Sequence, residues 1–166
     1  MSEQAEHPRG TTYNILFVCT GNTCRSPLAE GIAREELARR GWRHVQVASA
    51  GVAAREGDAA SREAVSVAGR YGIDLGVHRS QPLTPELLAW ADLVLGMSAS
   101  HLAGVDRLGG GGKGATLGDF AAGGDGLGGA VRDPYGGPEA VYEETYRELR
   151  GLVSAALDRL APILAP

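Results

Sequence analysis

The stretch Tyr13-Asn14-Ile15-Leu16-Phe17-Val18-Cys19-Thr20-Gly21-Asn22-Thr23-Cys24-Arg25-Ser26-Pro27 decides the fold. Its opening run is β-branched, aromatic and aliphatic, and apolar on both faces toward its end, the pattern of a buried central strand. The run stops at Cys19, and CTGNTCRSP gives way to a segment with Leu28, Ile32 and Leu37 at near-helical spacing. Ser26 before Pro27 predicts a helix N-cap followed by proline at the first helical position. Arg39, Arg40 and Gly41 supply the matching stop. Strand, tight loop and helix in this order put the loop at the carboxyl end of a strand, where open α/β sheets bind ligands.

Working outward, residues 1–12 read as a flexible tail and 13–166 as a single domain. His44 to Ala48 alternates like a second strand and runs into Ser49-Ala50-Gly51. Residues 58–71 predict a helix with Ala64, Val65, Ala68 and Tyr71 on one face, stopped by Gly72. Thr84-Pro85-Glu86 opens another short helix, and Ala91 to Met97 predicts a third buried strand leading into a helix through His101 and Leu102. A weak strand is expected around Ala115-Thr116-Leu117. The last helix starts near Pro138, with Val141, Tyr142, Thr145, Leu149, Leu152, Val153, Ala156 and Leu160 on its stripe. Strands alternating with helices imply an α/β fold built on an open parallel sheet with helices on both faces. Eleven of the residues in 109–129 are Gly, and this stretch is expected to be a flexible surface loop with at most one short strand inside.

Composition excludes several function classes. At 166 residues the chain can bury a full core, and a formal charge of −4 argues against holding nucleic acid by phosphate neutralisation. No run approaches the roughly 18 apolar residues of a membrane span, and the N-terminus does not resemble a secretory signal. Two Cys cannot build a disulfide scaffold, so a reducing, cytoplasmic setting is expected and each Cys is read as a thiol. Fifteen Arg stand against one Lys, Lys113, a balance that codon usage accounts for. None of the four His sits at ligand spacing from a Cys, so neither metal nor cofactor is expected.

The loop carries the chemistry. Cys19 and Arg25 stand six apart with Ser26 next, and Gly21 and Asn22 tolerate the left-handed backbone that turns successive amides inward. Thr20, Thr23 and Cys24 complete the cradle. Inward amides and the positive end of a helix dipole make an anion site, to which Arg25 adds a planar two-pronged donor. Amides, dipole and guanidinium all favour thiolate over thiol at Cys19, and Ser26 can donate a hydrogen bond to it. A thiolate aimed at a phosphorus held this way describes a phosphatase. The competing reading, a buried Cys with Arg25 in a surface ion pair, explains neither the Gly-Asn pair nor the Ser-Pro pair. Such a phosphatase also needs an acid for the leaving group. In Asp133-Pro134-Tyr135, Pro134 restricts Asp133 to extended geometry and Tyr135 can wall a substrate slot. On the residues alone, this tripeptide is equally an ordinary Asp-Pro turn.

VCTGNTCRSPLAEG, Ser49-Ala50-Gly51, His78, ADLVLGM and DPYGGPEAVYEETYREL, in this order, resemble the low-molecular-weight protein tyrosine phosphatases over roughly residues 13–160. The resemblance implies a four-stranded parallel sheet, Cys19 as nucleophile, Arg25 as phosphate clamp and Asp133 as general acid. It also implies a polar network holding Asn22 through Ser49, with His78 either in that network or a solvated loop residue. Cys24 is either inert packing or a partner for a reversible disulfide with Cys19. CTGNTCRSP with a DP-aromatic-GG segment looks like the bacterial branch acting on phosphoarginine in proteins, whereas tyrosine-specific members often resemble the loop with Ile in place of Thr23. Tyr135 departs from that branch, which often has Phe there, toward the tyrosine pattern. The implied partners are phosphorylated proteins or peptides, not nucleic acid or membrane, and oligomeric state is left open. Arsenate reduction on the same scaffold needs a later redox Cys pair, and no Cys follows Cys24. A non-catalytic phospho-binding module is disfavoured because Cys19, Arg25 and Asp133 are all present.

Overall fold

A computed structural model describes residues 12–124 and 128–166. The predicted tail therefore lies outside the described residues except for Thr12. The four strands are β1 (Tyr13–Cys19), β2 (Val45–Gly51), β3 (Leu93–Gly96) and β4 (Gly114–Thr116). Six helices are described: α1 (Arg25–Arg40), α2 (Arg62–Arg70), α3 (Pro85–Trp90), α4 (Ala99–Arg107), α5 (Leu117–Ala121) and α6 (Glu139–Leu164).

The strands form one parallel sheet in the order β2-β1-β3-β4. β1 is central because it is apolar on both sides. Ile15, Phe17 and Cys19 face a core shared with α1, α2 and α6, while Leu16 and Val18 face a second core with Leu88, Val94 and Val105. The period-2 geometry of a strand divides its side chains in this way. From β1 the chain crosses to β2 on one side and then to β3 on the other. This reversal opens a crevice at the carboxyl end of β1.

Local signals explain several boundaries. Gly41 ends α1 in the left-handed conformation, φ 74°, its N–H reaching the last-turn carbonyls. Thr84 caps α3, accepting from Leu87 N–H at 3.1 Å, and Pro85 follows at the first position. Tyr71 and Tyr146 stack with ring centroids 4.1 Å apart, clamping the end of α2 onto α6.

Four expectations change. α1 begins at Arg25 with Cys24 as N-cap, so Ser26 is not the cap and Pro27 is not at the first position. The hydroxyl of Ser26 is engaged by Cys19 and Asn22 instead. The helix predicted over 58–71 covers only Arg62–Arg70, because Ser61 caps it, accepting from Ala64 N–H at 3.3 Å. Backbone and side-chain bonds between Asp58 and Ser80 hold the preceding residues extended. Leu117 starts α5 rather than ending a strand, since Thr116 caps that helix by accepting from Asp119 N–H at 3.1 Å.

Finally, the Gly-rich stretch 109–129 is not a plain loop. It carries β4 and α5, and 125–127 lie outside the described residues. β4 exists because it pairs with β3 from Val94 to Gly96. Lys113, the single lysine, ties the start of this segment down by donating to Leu88 O and Ala91 O at 2.7 and 2.8 Å.

Candidate active site

Cys19 ends β1, and the loop from Thr20 to Cys24 turns directly into α1. Cys19, Thr20, Gly21, Thr23, Cys24, Arg25, Asp133 and Tyr135 line one cavity of about 290 Å³, together with Ala53, Ala54, Arg55 and Asp58. Cys19 is buried at its floor, Thr20 is exposed on its wall, and Tyr135 stands three-quarters exposed at its mouth. Cys19 and Cys24 are both free thiols.

The loop is held from behind by Asn22, which is fully buried and has φ 58°, the one non-glycine residue with positive φ among those described. Its side chain is fully satisfied. Nδ2 donates to Ser26 Oγ at 2.8 Å and to Ser49 Oγ at 2.9 Å, while Oδ1 accepts from Gln81 N–H at 2.9 Å. Ser49 Oγ in turn donates to Glu30 Oε1 at 2.5 Å. His78 Nε2 lies 2.8 Å from the Asn22 carbonyl oxygen. Ser26 Oγ, which accepts from Asn22, also lies 2.9 Å from Cys19 Sγ and holds a proton to donate to that sulfur when it is a thiolate.

The assignment of conformational need to Gly21 does not hold. Of the two, only Asn22 has a positive φ, and a Cβ on Gly21 would meet only Thr23 Oγ1 at an ordinary 3.7 Å. The glycine the loop requires is Gly51. A Cβ there would lie 2.4 Å from Thr20 O and 2.9 Å from Asn22 N.

Arg25 is 6% exposed, and its guanidinium is fixed at one end by donating from Nη1 to Val131 O at 3.0 Å. Its Nη2 lies 3.6 Å from Asp133 Oδ2. Its Nε is buried with no hydrogen-bond partner among the described residues, an orphan donor beside the cavity that an anion would satisfy. Asp133 is half exposed, and its Oδ1 accepts from Tyr135 N–H at 3.1 Å, closing an Asx turn. Cys24 Sγ lies 3.3 Å from Tyr142 Oη and donates to Ser61 Oγ at 3.5 Å. Burial, with the Cys24 hydrogen bond behind it, pushes the Tyr142 phenol well above its usual range. His101 sits on the other side of the loop, its Nε2 2.9 Å from Thr20 Oγ1. Burial, followed by the Arg25 charge, pushes its imidazole down to about 4, against the opposing pull of Asp133.

The family described as low molecular weight phosphotyrosine protein phosphatase matches residues 14–162. The chain belongs to this phosphatase family. As a member it is a hydrolase of phosphorylated proteins. It is 41% identical over 150 residues to a protein-arginine-phosphatase of Geobacillus stearothermophilus, covering 89% of this chain and 96% of that one. It is 37% identical to the tyrosine phosphatase PtpB of Staphylococcus epidermidis, covering 84% and 93%. In three dimensions the phosphatase resembles a low molecular weight tyrosine phosphatase of T. tengcongensis, with a TM-score of 0.83 at 44% identity over 90% and 100% of the two chains. It also resembles a mutant of the YwlE arginine phosphatase carrying a phosphorylated active-site serine, with a TM-score of 0.84 at 38% identity over 90% and 97%.

Sequence reasoning about this phosphatase missed Gly51, Gln81, Glu30, Val131 and His101. Gly51 ends a strand immediately before a turn, a signal of close backbone approach that was available. The others act through backbone atoms or across the sheet, and no local pattern marks them.

Proposed function

We propose that this phosphatase removes phosphate from phosphoarginine in proteins through a cysteinyl-phosphate. One observation carries the arginine reading. The cavity above Cys19 has Thr20, Thr23 and the acidic residues Asp58 and Asp133 in its lining, beside Ala53, Ala54, Arg55 and Tyr135, and the hydroxyls and acidic groups among these give a guanidino group its acceptors. The full-length similarity to proteins named arginine phosphatases supports it.

Arg25 and the loop amides hold the phosphoryl oxygens, with the unpartnered Nε supplying one bond. Cys19 Sγ attacks phosphorus in line. The S–P bond forms as the P–N bond breaks, and Asp133 delivers its proton to the departing nitrogen. Ser26 supports the thiolate before attack and when sulfur leaves again. Asp133, now a carboxylate, takes a proton from water as the water oxygen attacks phosphorus. The S–P bond breaks and inorganic phosphate departs. Tyr135 walls the mouth. The acidic net charge means that substrate attraction is local, from Arg25 and the amides. No helix among the described residues is long and apolar enough to cross a membrane. A cysteine nucleophile kept as a thiol suits a reducing, cytoplasmic setting.

A second reading, tyrosine phosphatase action, is favoured by Tyr135 at the slot mouth and by the similarity to PtpB. Phosphoarginine and phosphotyrosine peptides assayed side by side separate the two. Higher kcat/KM on phosphotyrosine overturns the arginine reading. Thr23→Ile should move preference toward phosphotyrosine, and a Cys19→Ser enzyme with native turnover of an aryl phosphate would rule out the covalent route.

A further inference from the structure

The buried imidazole of His101 is not used by the reaction above, yet it is wired to the wall of the slot. His101 is the third residue of α4 and 2% exposed. Its Nδ1 accepts the backbone N–H of Ser98 at 3.1 Å, so that nitrogen carries no proton. The ring is neutral at physiological pH because burial and the nearby Arg25 charge disfavour imidazolium. Its one proton is therefore on Nε2, which faces Thr20 Oγ1 at 2.9 Å.

The direction of that hydrogen bond matters. Thr20 Oγ1 has two lone pairs and one proton. One lone pair is taken by His101, which leaves one lone pair and the O–H. Thr20 is exposed and lines the cavity with Cys19, Arg25 and Asp133, so both remaining valences are available to whatever occupies the slot. A guanidino group carries N–H donors that the free lone pair accepts. The face of an aryl ring carries none.

We propose that His101 is a positioning residue that holds the Thr20 side chain in the orientation presenting its free lone pair to the guanidino N–H of the substrate, making the pair a determinant of choice between phosphoarginine and aryl phosphates. This rests on the arginine reading of the slot. The N-terminal end of α4 thus serves two purposes through one ring. Nδ1 closes the helix start, and Nε2 holds the Thr20 side chain on the substrate wall.

The two nitrogens can be separated by substitution. His101→Asn places an amide oxygen near Nδ1 and keeps the helix-start contact while removing the reach to Thr20. His101→Gln extends an amide donor toward the Nε2 position. The measurement is the ratio of kcat/KM on a phosphoarginine peptide to kcat/KM on p-nitrophenyl phosphate, with thermal unfolding of each variant alongside. Thr20→Val and His101→Asn should each lower the ratio about tenfold, the worth of one neutral hydrogen bond. The double variant should fall no further than either single, because both remove the same contact. His101→Gln should stay within about twofold of wild type.

Parallel losses on both substrates, leaving the ratio unchanged, overturn the proposal and assign His101 a purely structural role. A ratio that falls in Thr20→Val but not in His101→Asn overturns the positioning role. Should His101→Asn fail to fold, Thr20→Val still decides, since it alters an exposed side chain and an unchanged ratio sinks the acceptor role. A wild-type enzyme that turns over only the aryl phosphate defeats the arginine reading itself, an outcome read before any variant is compared.

Discussion

Asn22 Nδ2 donates to Ser26 Oγ at 2.8 Å, and the same serine oxygen stands 2.9 Å from Cys19 Sγ. Ser26 keeps its O–H to donate to Cys19 Sγ when that sulfur is a thiolate. The residue that holds the loop in shape thus also binds the hydroxyl that lies beside the thiol.

Asn22→Ala removes three side-chain hydrogen bonds from a fully buried position and strands Ser49 and the Gln81 amide. It also leaves a residue with Cβ but no polar compensation at φ 58°. The expected cost is about 3 kcal/mol of stability, with kcat/KM on an aryl phosphate lower by about 100-fold. Chemical denaturation and steady-state kinetics check both, and a variant within twofold of wild type would show that the loop keeps its working shape without Asn22.

Gly51→Ala tests the close approach of β2 to the loop. Its Cβ would lie 2.4 Å from Thr20 O, an atom already fixed by Ala53 N–H at 2.9 Å, so backbone must move. Overpacking of this kind costs about 2 kcal/mol. Because the displaced atoms belong to the loop, activity should fall along with the thermal midpoint. A Gly51→Ala protein with native kinetics would show that the loop tolerates displacement.

Asp133→Asn keeps the shape of the side chain and removes its proton. Turnover of phosphoarginine should fall about 100-fold, and that of p-nitrophenyl phosphate by less, since its leaving group departs without needing the acid. Equal losses on both substrates would mean that Asp133 acts through its 3.6 Å contact with Arg25 rather than on the leaving group.

The His101 imidazole, held down at about 4 by burial and Arg25, makes stability depend on pH. Between that value and the ordinary 6.5, the unfolded chain carries a proton on this ring that the folded chain lacks. Its contribution is therefore complete above pH 6.5 and declines as pH falls toward 4, by at most about 3 kcal/mol, and the loss stops once both states are protonated. Denaturation midpoints of wild type and His101→Gln, compared from about pH 7.5 to about pH 4, should show the steeper acid loss in wild type. Parallel curves would exclude a buried neutral ring.

Much of the site is legible in the sequence because it is local. β1, the loop and the start of α1 are consecutive, so an apolar run, a Gly-Asn turn and the spacing of Cys19 and Arg25 can be read without knowing what packs around them. The Thr84-Pro85 helix start is legible for the same reason, since a capping hydroxyl acts within three residues. Ser26 shows the limit of such reading. The Ser-Pro pair is a good local cap signal, but a buried sulfur and a buried carboxamide compete for the same hydroxyl and win.

By itself, then, the sequence determined the alternation of strands and helices, the place of the reactive loop at the end of the central strand, and the residue types able to do the chemistry. Tertiary structure decided what holds and completes that loop. Ser49, Gln81 and His78 converge on Asn22 from beyond the loop, Gly51 lets β2 pass against it, and Asp133 is delivered over Arg25 from the other end of the chain. β4 arises in a glycine-rich stretch only because β3 offers it a ladder. Periodicity and capping record interactions within a few residues. Contacts made by closing long loops leave no such local signature, so they become visible only when the sheet has brought the segments together.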